Sequence, residues 1–377
     1  MDVTELAAEL IAVRSVSAES NVAVSDVVER VLRGDDFETE RLEYDDANSV
    51  RKACIVGRKG PSTTGGLAFF CHTDVVPAET WNGPNGGPFS PGVHHGRLYG
   101  RGSCDMKGPL AAAITAANRF SSNELKAPIY VIATADEEVG SRGAAEVAER
   151  SALFQQLVQS DARGVITEPT ELQVVYAHKG VYCLQITSRG RAAHSSTRLG
   201  VNANLAMIPF LAEMKQIHDE TLTDPKWLNE EFDPPWISWN IGINDHTPAV
   251  NITAPHSVCT IAFRPMPGQK PDELVERVRQ AALRCGLEFE ARVTAGPLYT
   301  DPQSPYVRET LTLVGGTEAK TVAYGTDGVM LSAVQNLIVL GPGSIQQAHT
   351  DDEFIALDAL QAGVELYTRM VRHWCCR

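Results

Sequence analysis

The chain has 377 residues, of which 43% are hydrophobic and 21% are charged, and its formal net charge is −14. This length predicts two domains, because one ordinary hydrophobic core rarely serves so long a chain. The negative charge disfavours nucleic-acid binding, which depends on Lys and Arg at phosphates, and no apolar run approaches the length of a membrane span. An acidic N-terminal sequence and eight scattered cysteines predict a cytoplasmic protein without disulfides.

The first 177 residues alternate predicted helices with continuous apolar strands. In chain order we expect a helix at 2–33, strands at Ala53–Val56 and Leu67–Cys71, a Gly- and Pro-rich loop at 77–104, a helix at Pro109–Phe120, a strand at Ile129–Thr134, a helix at Gly143–Leu157 and a strand at Gly164–Thr167. Uninterrupted apolar strands are typical of a sheet that is covered on both faces. This part of the chain therefore predicts an α/β domain.

The pattern changes after about residue 178. The expected elements are a strand at Val181–Thr187, a helix at Asn202–His218, strands at Ile237–Ile243 and Val258–Phe263, a helix at Pro271–Cys285 and a strand at Glu288–Val293. Their β-α-β-β-α-β order predicts a ferredoxin-like α+β domain. We place it at 178–294, inserted into a catalytic domain of residues 1–177 and 295–377 that ends in an amphipathic helix at Ile355–His373.

Five potential metal ligands are spread along the chain: His72, Asp105, Glu138, Glu168 and His349. Two imidazoles and three carboxylates suit two divalent cations that share one carboxylate and leave a position open for water. Three of these residues follow predicted strands, at the sheet edge where α/β proteins place their ligands. Zinc fits such donors, as do cobalt and manganese. Taken singly, each residue also fits a structural role, with Asp105 as a helix cap.

Neighbouring residues suggest catalytic roles. Asp74 could accept a hydrogen bond from the far nitrogen of His72 and so orient it. Adjacent side chains diverge at a strand end, so Glu138 could bind metal while Glu137 acts as general base. The alternative for this Glu-Glu pair is a solvated acidic turn without a catalytic role. His194 could stabilise an oxyanion, although a lone histidine is more often an ordinary surface or core residue. Arg264 could fork onto a substrate carboxylate or form a structural ion pair.

Several motifs carry a family resemblance: H-T-D at 72–74, Y-G-R-G-S-C-D-M-K-G at 99–108, A-T-A-D-E-E at 133–138, T-E-P-T at 167–170, A-H-K-G at 177–180, A-H-S-S at 193–196 and R-P-M-P-G at 264–268. In this order the chain resembles the dinuclear metallo-deacylase and metallopeptidase family that includes acetylornithine deacetylase, succinyl-diaminopimelate desuccinylase and glutamate carboxypeptidase. The segments 168–173 and 341–353 are most similar to the acetylornithine deacetylase branch. The resemblance implies a zinc-peptidase-like α/β domain with a mixed sheet.

The resemblance also implies a distribution of metal ligands and a division of labour around them. His72, Asp105 and Glu168 would hold one zinc ion, while His349, Glu138 and the same Asp105 would hold the other. Asp74 would orient His72, and Glu137 would activate the bridging water.

The inserted domain would form a homodimer, in which His194 can reach the partner's site. Residues near the substrate would be Arg264, Asn251, Thr326 and Asp327. The implied activity is removal of an acyl group from an N-acyl amino acid, above all conversion of N-acetylornithine to ornithine and acetate in arginine biosynthesis.

Other substrates remain open, because residues 324–328 read Tyr-Gly-Thr-Asp-Gly where the typical acetylornithine deacetylase has a Cys-Thr-Glu stretch. The alternatives are a succinyl-diaminopimelate desuccinylase, an acylcitrulline deacylase or a dipeptidase. A metal-binding protein of the same fold without catalytic activity is the alternative from another class.

Overall fold

The computed structural model describes residues 2–61, 64–247 and 249–377. These residues divide into two compact units. The first consists of the described residues of Met1–Ala177, Tyr299–Lys320 and Thr326–Arg377, and the second of those of His178–Leu298 and Thr321–Gly325. Among the described helices, none has both the length and the apolar character needed to cross a bilayer.

The described residues form helices and strands in alternation along most of the chain. The helices are α1 (Val3–Ala12), α2 (Val22–Arg33), α3 (Lys107–Ala117), α4 (Arg142–Arg150), α5 (Ala152–Gln159), α6 (Ala203–Thr221), α7 (Pro271–Arg284), α8 (Pro305–Val314) and α9 (Leu357–Cys375). The first eight strands are β1 (Glu38–Asp45), β2 (Arg51–Lys59), β3 (Leu67–His72), β4 (Gly92–His94), β5 (Arg97–Tyr99), β6 (Ile129–Thr134), β7 (Arg163–Ile166) and β8 (Val175–His178). The others are β9 (Val181–Arg189), β10 (Ser238–Asn244), β11 (His256–Arg264), β12 (Glu288–Ala295), β13 (Leu298–Tyr299), β14 (Lys320–Val322), β15 (Leu337–Val339) and β16 (Phe354–Ala356).

The larger sheet is mixed, with the strand order β1-β2-β6-β3-β7-β15-β8-β13 and β14 beside β8. Its centre is parallel: β3 pairs with β6 on one side and with β7 on the other. The register sets His72 opposite Thr134 and Phe70 opposite Ile166. Parallel strands end at one edge of a sheet, so the residues that follow β3, β6 and β7 meet there.

The second unit contains a four-stranded antiparallel sheet with the order β10-β11-β9-β12. Helix α6 packs on β9 and β11, and α7 packs beside β12. The buried face of α6 includes Met207, Phe210 and Met214. The predicted fold class is thus confirmed, both for the α/β unit with its mixed sheet and for the ferredoxin-like unit.

The predicted helix at 2–33 is wrong, because the chain breaks it between α1 and α2. Ser15 donates a hydrogen bond to the carbonyl oxygen of Thr73 (2.7 Å), and Ser17 donates one to the Asp74 carboxylate (2.7 Å). Val16 lies between them and forms a β-bridge with residue 75. A continuous helix would forgo these buried contacts. The predicted helix at 143–157 is likewise divided, at Ser151, whose hydroxyl caps α5.

Candidate metal centre

His72 is the last residue of β3 and is buried. Its Nδ1 lies 2.8 Å from the backbone carbonyl oxygen of Asp74. A carbonyl only accepts, so Nδ1 carries the hydrogen and a neutral imidazole keeps its free lone pair on Nε2. Nε2 in turn lies 2.9 Å from Oδ1 of Asp105 and 3.5 Å from Oε1 of Glu168. The local backbone therefore prepares His72 to bind a cation through Nε2.

The role expected for the Asp74 carboxylate needs a correction. Its Oδ1 lies 3.7 Å from Nδ1 of His72, beyond hydrogen-bond distance. The carboxylate accepts hydrogen bonds from the Ser17 hydroxyl (2.7 Å) and from the backbone N–H groups of Glu137 (3.1 Å) and Glu138 (3.4 Å). The backbone carbonyl of Asp74 thus orients His72, while its side chain fixes the position of the Glu137-Glu138 segment.

Asp105 lies between the two histidines. Its Oδ1 faces His72, and its Oδ2 lies 3.3 Å from Nε2 of His349. The N-cap of α3 is Met106, so the alternative of a capping role for Asp105 does not hold. The same Nε2 of His349 is 3.1 Å from the Glu138 carboxylate. Each oxygen of one carboxylate therefore points to a different imidazole.

The five expected ligands come together in two triads that share Asp105. Within each triad the potential ligand atoms lie within 4.8 Å of one another, and the triads are His72, Asp105, Glu168 and Asp105, Glu138, His349. A third group of this kind is His72, Glu137 and Glu138. The His349 side chain is about half exposed, whereas His72 and Asp105 are buried, so the cluster opens to solvent at His349. His349 also has a φ of 64°, a left-handed conformation that non-glycine residues seldom adopt.

The charges of this cluster suit divalent cations. Burial and the repulsion of Asp105 raise the pKa of Glu168 to about 8, and burial likewise raises the pKa of Glu137 and of Glu138. Hydrogen bonds to Asp105 and Glu138 raise the pKa of His349 to about 10. Without cations, then, Glu168 is largely protonated at neutral pH. Two divalent ions would displace that proton and compensate the crowded carboxylates.

Asp327 lies under the ligands. It is buried, lines a small cavity with His72, Glu137 and Glu168, and accepts a hydrogen bond of 2.5 Å from the Thr134 hydroxyl. Burial raises its pKa to about 6. This position favours a supporting role over the direct substrate contact that we expected. Thr326 is also buried, and its hydroxyl accepts a hydrogen bond from the backbone N–H of Gly328 (3.1 Å).

The other predicted site residues belong to the second unit. His194 forms a β-bridge with residue 252, and the carbonyl of Asn251 accepts a hydrogen bond from the backbone N–H of residue 195 (2.9 Å). These two candidates therefore lie on adjacent segments, and both are exposed. Arg264 ends β11, and its Nη1 is buried without a hydrogen-bond partner in the part of the chain that the structure describes. Arg264 also forms no ion pair among those residues, which disfavours the structural ion pair.

Sequence reasoning missed the residues that hold the ligand loops. Asp136 adopts a left-handed conformation (φ 61°), and its carboxylate is held by Lys52 (2.8 Å) and by the Tyr44 hydroxyl (2.8 Å). Glu353 accepts hydrogen bonds from the loop that carries Asp105. The signal for Glu353 was present in the H-T-D-D-E segment at 349–353, but a single sequence did not show its partner.

Three strand ends and two loops of the mixed-sheet unit bring together two histidines and three carboxylates, a donor set typical of metal-dependent hydrolases. Residues 68–373 match the model of peptidase family M20/M25/M40, and the chain belongs to this family. It is 32% identical to the acetylornithine deacetylase of Myxococcus xanthus over 380 residues, which cover 97% of this chain and 96% of that protein. The family resemblance of the sequence motifs is therefore confirmed.

Solved structures share the fold. A metallo-carboxypeptidase of the M20 family from Sulfolobus solfataricus has a TM-score of 0.74 at 17% identity, with 99% of both chains covered. The YXEP protein of Bacillus subtilis, described as a dinuclear metal-binding peptidase of that family, has a TM-score of 0.63 at 13% identity, with 98% of both chains covered.

Proposed function

We propose that the protein is a dinuclear metal-dependent amidohydrolase that removes the acyl group from an N-acyl amino acid. The observation that supports it most is the position of Asp105, whose two oxygens face two separate sets of ligands. His72 and Glu168 would complete one cation site, and His349 and Glu138 the other. Zinc fits these donors, and cobalt or manganese would also be accepted. When bound, the cations supply Lewis acidity to the amide carbonyl and acidify water.

Glu137 is the proposed general base. It belongs to the ligand-type group with His72 and Glu138, yet neither triad around Asp105 requires it. Its backbone N–H is fixed by the Asp74 carboxylate. A carboxylate held beside the reacting carbon can take a proton from water on one of its oxygens and then deliver it to the leaving amine.

Substitution of Glu137 tests this role. Glu137→Gln should lower kcat by about 10²- to 10⁴-fold, the usual contribution of a general base, while two cations per chain remain bound. Normal turnover by this variant would end the assignment. Loss of the cations would show instead that Glu137 is a ligand. Glu40→Gln serves as the comparison, because it removes a hydrogen-bonded carboxylate at the start of α5, outside the metal centre and the proposed substrate contacts.

Arg264 is the proposed anchor of the substrate's α-carboxylate. Its buried Nη1 has no partner among the described residues, and a guanidinium matches a carboxylate in geometry and charge. Asn251 and His194 would contribute from their neighbouring segments, with His194 polarising the carbonyl oxygen.

N-acetylornithine is the proposed substrate, as part of arginine biosynthesis. The name of the Myxococcus xanthus relative supports it, as do the segments 168–173 and 341–353. A panel of N-acetylornithine, N-succinyl-diaminopimelate, N-acylcitrullines and dipeptides, assayed with added Zn²⁺, Co²⁺ or Mn²⁺, tests the choice. Preference for another member of the panel would reassign the substrate. No hydrolysis of any member, with two cations bound, would favour a non-catalytic metal-binding protein.

A homodimer through the second unit is also proposed. Strand β10 is an edge strand of its sheet, and large apolar side chains are exposed on it and on α6, namely Ile243 (60%), Leu205 (67%) and Ile208 (59%). An exposed edge strand beside apolar side chains is suited to pairing with a second copy, which would bring His194 to the partner's site. Sedimentation of the wild type and of Leu205→Glu measures this; a monomeric wild type would contradict it.

A cytoplasmic location completes the proposal. All eight cysteines are free, which suits a reducing compartment. Fractionation of the source cells measures the location, and recovery of the protein in an exported fraction would contradict it.

A further inference from the structure

The carboxylate of Glu353 is enclosed by donors from the loop that carries Asp105. Its Oε1 accepts hydrogen bonds from the backbone N–H groups of Cys104 (2.8 Å) and Asp105 (3.0 Å). Its Oε2 accepts hydrogen bonds from the backbone N–H of Gly102 (3.0 Å) and from Nη1 of Arg101 (2.8 Å). The residue is fully buried. Four N–H groups therefore converge on two oxygens, and one of them belongs to Asp105 itself.

Glu353 also lies four residues after His349. The chain that follows it forms β16, which pairs with β5, and the backbone carbonyl of Glu353 accepts a hydrogen bond from Gly100 (3.1 Å). Contacts on both sides of the loop thus fix the position of Glu353. Since its carboxylate holds the backbone of Asp105, hydrogen bonds tie the segment that carries Asp105 to the segment that carries His349.

We propose that Glu353 is a positioning residue for the triad of Asp105, Glu138 and His349. It fixes the backbone from which the shared carboxylate projects, and so sets the direction of the Asp105 oxygen that faces His349. The inference rests on the proposed two-cation site. Residues that orient metal ligands commonly contribute roughly 10- to 100-fold to metal affinity.

Only a carboxylate satisfies this position. A glutamine offers one oxygen and one NH₂ group, and in either orientation the NH₂ group would face two N–H donors. Buried donors without acceptors are costly, so the loop of Asp105 would have to shift. An aspartate keeps the charge but is shorter by one methylene group, so it cannot reach all four donors from the same backbone.

The test compares Glu353→Gln with Glu40→Gln in the full chain. Glu40 is the matched control because its carboxylate also accepts several hydrogen bonds, from the Ser151 hydroxyl (2.6 Å) and from the backbone N–H groups of Ala152 and Leu153 (3.1 Å each). These partners lie at the start of α5, outside the ligand cluster. Zn²⁺ and Co²⁺ binding are measured by calorimetric titration and elemental analysis, and the visible spectrum of the Co²⁺ form reports the ligand geometry.

Wild-type protein should bind two cations per chain. Glu353→Gln should bind the second roughly 10- to 100-fold more weakly, with an altered Co²⁺ spectrum, whereas Glu40→Gln should match the wild type in both. If Glu353→Gln does not fold, Glu353→Asp is used in its place. It keeps the negative charge and should also bind the second cation more weakly than the wild type, by a smaller factor.

Three results would overturn the inference. The first is that the Glu353 variant that folds binds cations with the stoichiometry and affinity of the wild type and gives the same Co²⁺ spectrum. Another is equal weakening in the Glu40 control, which would reveal general destabilisation. In both cases the proposed function stands. Wild-type protein that binds no cation would instead defeat the proposed function, and this inference with it.

Discussion

The replacement of His178 by asparagine should make the second unit more resistant to acid. His178 is fully buried at the end of β8. Burial, together with the positive charge of Arg264, lowers its pKa from 6.5 to about 4, although a hydrogen bond between Nδ1 and the carbonyl oxygen of Lys179 (2.9 Å) opposes this. The folded protein therefore holds a neutral imidazole at pH values where the unfolded chain would protonate it.

The sign and size follow from proton linkage. Between pH 6.5 and about 4 the unfolded state binds more protons than the folded state, so stability falls as the pH falls through this window. The cost is negligible well above pH 6.5, reaches about 2 kcal/mol at pH 5, and approaches roughly 3 kcal/mol below pH 4. An asparagine does not titrate, so His178→Asn should lack this part of the pH dependence.

Urea denaturation at pH 7.5, 6, 5 and 4.5 measures the effect. Three of the five tryptophans, Trp227, Trp236 and Trp239, lie in the second unit and report its unfolding by fluorescence. Because other titrating groups are common to both proteins, the difference between wild type and variant isolates His178. His246→Asn, at an exposed position, controls for the substitution. Parallel stability profiles for wild type and His178→Asn would refute the reasoning.

Three further outcomes are expected. Ser17→Ala removes a buried hydrogen bond to the Asp74 carboxylate and should lower the unfolding free energy of the first unit by about 1.5–3 kcal/mol, measured by urea denaturation; an unchanged midpoint would contradict this. Burial and the repulsion of Asp105 raise the pKa of Glu168 to about 8, so cation binding at pH 7 should release at least one proton and weaken as the pH falls. Calorimetry in buffers of different ionisation enthalpy measures this release, and a heat that does not depend on the buffer would exclude it. Arg264→Gln should raise KM for an N-acyl amino acid at least tenfold with a smaller change in kcat, and steady-state kinetics that show an unchanged KM would exclude the carboxylate anchor.

The strand ends were predictable from the sequence because their signal is local. The run at 129–134 is uniformly apolar, and the structure places β6 at those residues. The same pattern placed His72 and Glu168 at the ends of β3 and β7. Parallel strands end at the same edge of a sheet, so the sequence also predicted that these side chains lie close to one another.

The remaining features depend on contacts between distant parts of the chain. Glu353 and Asp105 are 248 residues apart, and one sequence gives no register between them. The break after α1 arises because Ser15 and Ser17 bind the chain near residue 74, which helical periodicity does not reveal. Strand β1 went unpredicted because it is an edge strand with mostly charged side chains, and only two of its eight residues are buried. The sequence likewise could not distinguish the carbonyl of Asp74 from its carboxylate as the partner of His72.

The chain order of the ligands has a consequence for biosynthesis. His72, Asp105, Glu138 and Glu168 precede the second unit, while His349 and Glu353 follow it. During translation the ferredoxin-like unit would therefore emerge from the ribosome before His349, the last ligand of the metal cluster, has been synthesised. Until then the site would have one histidine for three carboxylate ligands, and permanent metal capture would await the final stretch of translation.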